Sequence, residues 1–278
     1  MLLQISTGTR LDVVESGDRS NPSVLLICGT TQHHLLWGAL AAGLSDHYHV
    51  ISYNHQGIGD SARGAGPLTT ASMAVDAAAV LDAVGVSSAH VLGWSLGSLV
   101  AQELVLAQPD RVASMVLWGT YPALDAYQAC GMAALSHPWR TGDVQTGLAA
   151  LGLAFSPELL NSPEFPLLMQ QMLPLFPQTE SEVRTVVEQW DADLAHNTAD
   201  RLPSIDTPTL VIGGEQDLLT PPWQCRKVAE LIPGAQLKIF TGPGSSHAVG
   251  LERTEEFLAE VLPFLAAQPA QAASIAAG

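Results

Sequence analysis

The chain of 278 residues predicts an α/β protein: a mostly parallel central sheet with helices on both faces and a helical cap inserted before the last two strands. Three observations carry this. Strand-like and helix-like segments alternate in two blocks, the mark of parallel strands joined by helical crossovers. A stretch rich in Leu, Met, Gln and Pro, and poor in β-branched residues, separates the blocks. Within the first block, Gly93-Trp94-Ser95-Leu96-Gly97 stands between a buried strand and a helix.

The elements follow in order. MLLQIS and LDVVES flank the polar turn TGTR and predict a hairpin. SVLLICG is a continuous apolar run ending in glycine, as expected of a strand buried on both faces. WGALAAGL has helical spacing, and HVISYN is a second buried strand. GPLTTASMAVDAAAVLDAVG predicts a helix with Thr or Ser near its start and Gly85 at its end. AHVLGWS, SLGSLVAQELVLAQP and ASMVLWGT then continue as strand, helix and strand. The alternation resumes with TPTLVIGG (strand), PPWQCRKVAELIPG (helix, proline in its first turn), AQLKIFTG (strand) and the amphipathic LERTEEFLAEVLPFLAAQ.

These segments divide the chain into a core (1–121 and 204–267), a cap of short helices (122–203) and a flexible tail (268–278) that lacks periodic pattern. In the cap, FPLLMQQMLPLFP is strongly apolar without a strand partner, and serves either helix packing or a substrate wall.

Nearly half the residues are hydrophobic and 14% are charged, which argues against a disordered or coiled-coil chain. The net charge of −16 repels phosphate backbones and anionic lipid surfaces, so neither nucleic acid nor membrane is an expected partner. No apolar run is long enough to span a bilayer, and the opening MLLQISTGTR lacks a long apolar region and a cleavage site; a cytoplasmic location is expected. Cys28, Cys130 and Cys225 lie far apart and form neither a zinc pattern nor a disulfide framework. His33 and His34 are adjacent but have no carboxylate at ligand spacing, so no metal is expected. The oligomeric state is left open.

The Gly-x-Ser-x-Gly pattern alone is weak, but its setting matters. A nucleophilic serine on a sharp strand-to-helix turn needs small residues two before and two after it, and here both are glycine. Serine also needs a base, itself oriented by an acid. Asp217, in GGEQDLLTPP after the strand TPTLVIGG, and His247, in TGPGSSHAVGLE after the last strand, follow Ser95 in the order this architecture requires. Glu215 and Asp125 compete for the acid role. His47, His49, His90, His137 and His196 read as surface or packing histidines. The oxyanion donors would be the backbone N–H of Leu96 and that of Thr30, in the loop Ile27-Cys28-Gly29-Thr30-Thr31.

Four stretches, ICGTTQ, YNHQGIGDS, GWSLGS and GGEQD followed by GSSH, give a chain that resembles the α/β-hydrolase superfamily over nearly its whole length outside the cap. Within it, the chain is similar to the group of 3-oxoadipate enol-lactonases, small esterases and cofactor-free haloperoxidases. That resemblance implies the α/β-hydrolase fold, a helical cap and no cofactor. Two stretches depart from the pattern. Cys28-Gly29 replaces the usual His-Gly, and Asn54-His55-Gln56-Gly57-Ile58-Gly59-Asp60-Ser61 replaces Asp-x-Arg-Gly-x-Gly-x-Ser, losing the ion pair often found there.

The expected activity is hydrolysis of a carboxylic ester or lactone of a small, largely apolar molecule, with Ser95 as nucleophile, His247 as base and Asp217 as orienting acid. The alternatives are hydrolysis of a carbon–carbon bond in a diketone-like substrate, a perhydrolase-like side activity, and a non-hydrolytic lyase, cyclase or binding module on the same fold. Trp94, Met169, Met172, Phe176 and Trp190 are the candidate substrate-binding residues, with Arg140 and Arg184 as candidates should the substrate carry a carboxylate.

Overall fold

A computed structural model of the chain describes residues 1–268. Most of the tail expected to be flexible therefore lies outside the described residues. Eight strands form one sheet: β1 (Leu2–Gln4), β2 (Arg10–Ser16), β3 (Ser23–Ile27), β4 (His49–Tyr53), β5 (Ala89–Trp94), β6 (Val112–Trp118), β7 (Thr209–Gly214) and β8 (Gln236–Phe240). Their spatial order is β1-β2-β4-β3-β5-β6-β7-β8. β2 pairs antiparallel with both β1 and β4, and every later pairing is parallel.

Residues of β3, β4, β5 and β7 are buried along their whole length, which explains their unbroken apolar runs. Side chains still alternate between faces. Leu25, Ile27, Val91, Leu117 and Val211 point into one apolar cluster, with α2 (Thr70–Ala83) and α3 (Leu96–Ala107). Val24, Leu26, Leu92, Val116, Leu210 and Ile212 point into the other, with α1 (Gly38–Ser45) and the long C-terminal helix. Thr69 and Ser72 form a capping box at the start of α2, and Gly85 follows its end at φ 76°.

Between β6 and β7 the chain makes helices only: α4 (Ala126–Arg140), α5 (Val144–Ala150), α6 (Pro157–Leu160), α7 (Phe165–Met172) and α8 (Glu180–Ala195). A bridge between Ala123 and Asn197 ties the two ends of this insertion together. α8 is its anchor. Thr179 and Glu182 form its capping box, and Val186 and Trp190 sink into the same cluster as α2 and α3. After β7 come α9 (Pro222–Leu231), with proline in its first turn, then β8, α10 (Val249–Glu252) and α11 (Thr254–Ala266). No helix among the described residues is long and apolar enough to cross a membrane.

Candidate active site

Ser95 sits between the last residue of β5 and the first of α3 at φ 56°, ψ −123°, a conformation that side chains rarely adopt. The flanking glycines explain why the chain can turn so sharply. A Cβ on Gly93 would lie 2.2 Å from the Gly97 carbonyl oxygen, and one on Gly97 would lie 2.0 Å from that of Ile27. Both clashes are with backbone, so neither relaxes by a rotamer change. Ser98 Oγ donates to the Ser95 carbonyl at 2.6 Å and tightens the turn.

Two loops at the same sheet edge bring Asp217 and His247 together. His247 Nδ1 lies 2.8 Å from Asp217 Oδ2 and 3.1 Å from Thr220 Oγ1. Asp217 is buried and also accepts from the backbone N–H groups of Leu219 and Thr220, both at 2.8 Å, and from the Thr220 hydroxyl at 2.6 Å. That donor set holds the carboxylate aimed at the His247 ring. The His247 main chain is fixed separately: the Trp94 indole N–H donates to its carbonyl at 3.1 Å. Trp94 in turn stacks on Trp118, ring centroids 4.2 Å apart and 2° from parallel. Gly214 lets the His247 loop come close, since a Cβ there would stand 2.1 Å from the Ser245 carbonyl oxygen. No hydrogen bond joins Ser95 to His247 among the described residues, and both line the same cleft.

The loop after β3 faces Ser95. Gly29 N–H donates to Gln32 Oε1 at 2.5 Å, while the Thr30 N–H has no acceptor among the described residues. Leu96 opens α3, so its N–H belongs to the first turn and has no intrahelical acceptor. Ser95, His247, Thr30, Trp94, Met172, Phe176 and Trp190 line one narrow cleft under the insertion. Its free volume is about 50 Å³, on a measure by which one water needs about 10–15 Å³. The inner chamber therefore suits a group of a few heavy atoms.

A family model described as the alpha/beta hydrolase fold matches residues 22–252. The chain belongs to the α/β-hydrolase fold family. It is 30% identical over 217 residues to a putative carbamate hydrolase, RutD, of Azorhizobium caulinodans, covering 77% of this chain and 80% of that protein. It is 32% identical over 247 residues to a putative non-heme bromoperoxidase, BpoC, of Mycobacterium tuberculosis, covering 86% and 89%. Among solved structures it resembles the enol-lactonase from Burkholderia xenovorans, with a TM-score of 0.84 and 25% identity over 96% of this chain and 100% of that one.

This α/β hydrolase places the remaining candidates as follows. Glu215 is exposed and accepts from the Gly242 N–H, and Asp125 caps α4 and accepts from the Trp223 indole; neither reaches His247. His47 and His137 are exposed. His49, His90 and His196 are buried on hydrogen-bond partners, and burial pushes His90 and His196 down to about 4. Met169 does not line the cleft. On α7 it packs against the apolar cluster while Met172, one turn on, reaches the cleft wall. Arg140 and Arg184 line a separate cavity on the far side of α8, where they pair with Asp191 and Glu180. The His33–His34 pair does have a carboxylate neighbour, because the fold brings Asp12 of β2 to it. One ligand-type atom from each lies within 4.8 Å of the others, and His34 Nε2 bonds to Asp12 Oδ2 at 3.0 Å while His33 Nε2 meets the Asn54 amide.

The residues at the departures from the family pattern are held by hydrogen bonds. His55 Nε2 donates to the Cys28 carbonyl at 2.9 Å, and Asn54 Oδ1 accepts from the His34 N–H at 2.7 Å. Gln56 bridges Asp76 and the Gly64 N–H. Sequence reasoning missed two polar side chains near the cleft, Gln189 and Asp193 of α8. A signal was present: Val186, Gln189, Trp190 and Asp193 share one helical stripe, and two polar residues on an otherwise buried stripe call for partners.

Proposed function

We propose that this hydrolase cleaves a carboxylic ester or lactone of a small, largely apolar molecule through an acyl-enzyme on Ser95, the insertion serving as the cap of the site. The observation that carries the reading is the meeting, in one cleft, of a strained Ser95, the His247–Asp217 pair and two free backbone N–H groups. Ser95 Oγ attacks the carbonyl carbon as His247 Nε2 takes its proton. Asp217 Oδ2 holds Nδ1–H and stabilises the imidazolium. The N–H groups of Thr30 and Leu96 receive the negative oxygen of the tetrahedral intermediate. His247 then protonates the leaving oxygen, and a water activated by the same imidazole releases the acid.

The narrow chamber favours a short acyl group. Among the described residues no Lys or Arg lines the cleft, so a substrate carboxylate meets no cation there, and neutral esters fit better than acidic lactones. Free cysteines, two of them buried with thiols pushed up to about 12 by that burial, suit a reducing compartment such as the cytoplasm. The decisive experiment is Ser95→Ala with p-nitrophenyl acetate. Turnover is expected to fall by roughly 10⁴-fold or more, with an unchanged melting temperature, and fluorophosphonate is expected to label wild type but not the variant. Turnover retained in Ser95→Ala would overturn the serine mechanism.

A further inference from the structure

The turn that carries Thr30 is closed by bonds between Gly29 and Gln32 and is also held from outside. Thr31 stands at φ 69°, the left-handed region, where a β-branched residue is strained and persists only if its surroundings hold it. Two contacts from α8 do so. Gln189 Oε1 accepts the Thr31 N–H at 2.9 Å, and Asp193 Oδ2 accepts the Thr30 hydroxyl at 2.5 Å. The two side chains are four residues apart, so they leave the helix on one face, one turn above the other. Both are buried, and their stretch of helix is pinned by Val186 and Trp190. With Thr31 N–H and Thr30 Oγ1 both committed to α8, the Thr30 N–H is the group this turn leaves unpaired.

We propose that Gln189 and Asp193 are positioning residues of the oxyanion hole, holding the Thr30–Thr31 turn so that the Thr30 N–H faces the reacting carbonyl. The proposal rests on the serine-hydrolase reading above and assigns to the insertion a share in transition-state stabilisation, beyond covering the cleft. The choice of residues supports it. Both side chains are polar and buried, and burial pushes the Asp193 carboxyl up to about 7, so this acid sits there at a desolvation cost while it holds the Thr30 hydroxyl.

The test counts active sites by fluorophosphonate titration and measures kcat and KM per site for p-nitrophenyl acetate. Asp193→Ala and Gln189→Met are each expected to lower kcat by roughly tenfold or more, with KM within about threefold. Affinity for a trifluoromethyl ketone, whose serine adduct carries an oxyanion, should fall by the same factor as kcat/KM. Asp193→Asn keeps an oxygen acceptor for Thr30 and should restore most of kcat. Thr30→Val removes the hydroxyl from the other end of the bond while leaving the backbone N–H. It should match Asp193→Ala, with the double variant no worse than either, and it carries the test if Asp193→Ala does not fold. Parity of the variants with wild type would overturn the proposal, as would a loss confined to KM or one that Asp193→Asn does not restore. A wild type inert to both ester and fluorophosphonate strikes the serine-hydrolase reading instead, so the two failures are distinct.

Discussion

Asp193 shows how a single residue can set stability against function. Its surroundings are the Thr30 and Tyr121 hydroxyls and, across the cleft, the His247 ring. Burial raises its carboxyl to about 7, and its bonds to Thr30 and Tyr121 offset only part of that. The unfolded chain releases this proton near pH 4, as an ordinary aspartate does. Stability from the neutral carboxyl is therefore complete below about pH 4 and is lost as pH rises to about 7. Asp193→Asn cannot ionise, so its melting temperature should rise relative to wild type between those limits and stay level above them. Melts over a pH series check this, and parallel curves would refute it. Ser95, Asp217 and His247 were legible in the sequence because turn sterics and chain order constrain them. Asp193 was not, because only the packed fold shows that its stripe of α8 meets the Thr30 loop.

At the scale of elements, the site is assembled by backbones in contact. β5 and α3 approach through Gly93 and Gly97, and the loops after β7 and β8 approach through Gly214. Gly214→Ala would drive a methyl group into the Ser245 carbonyl, two residues before His247. The expected result is a stability loss of about 1–3 kcal/mol or more, together with a fall in kcat larger than the change in folded fraction. Denaturant melts and active-site titration separate the two. A variant with wild-type kcat would show that the loop tolerates displacement. Unbroken apolar runs revealed these strands, since β3, β5 and β7 are buried on both faces. Helical periodicity could not say which residues of α7 and α8 look into the cleft, because an amphipathic pattern marks the side a helix buries and not what lies against that side. Hence the sequence grouped Met169 with Met172, although Met172 alone of the two lines the cleft.

For the whole molecule, a net charge of −16 and a cleft without Lys or Arg among the described residues act in the same direction. Anionic esters should be turned over less efficiently than neutral ones of equal size, and added salt should raise kcat/KM for the anionic ester alone, because screening weakens the repelling field. Steady-state assays of a matched pair between low and high ionic strength test this. An anionic ester preferred at low salt would point to a cation that the cleft does not show. The fold class follows from the alternation alone, whereas the exchange of β3 and β4 in the sheet order does not. Nor does the place of Asp12 beside His33 and His34, since contacts between distant segments leave no mark in local spacing.

The three thiols differ sharply in access. Cys28 and Cys225 are sealed in the interior with their thiols held protonated, while Cys130 stands exposed on α4, the helix packed along α8. The folded protein thus offers one attachment point for a maleimide dye or spin label, with no cysteine to remove first. A reporter there sits on the insertion itself, one helix away from the side chains that brace the Thr30 loop.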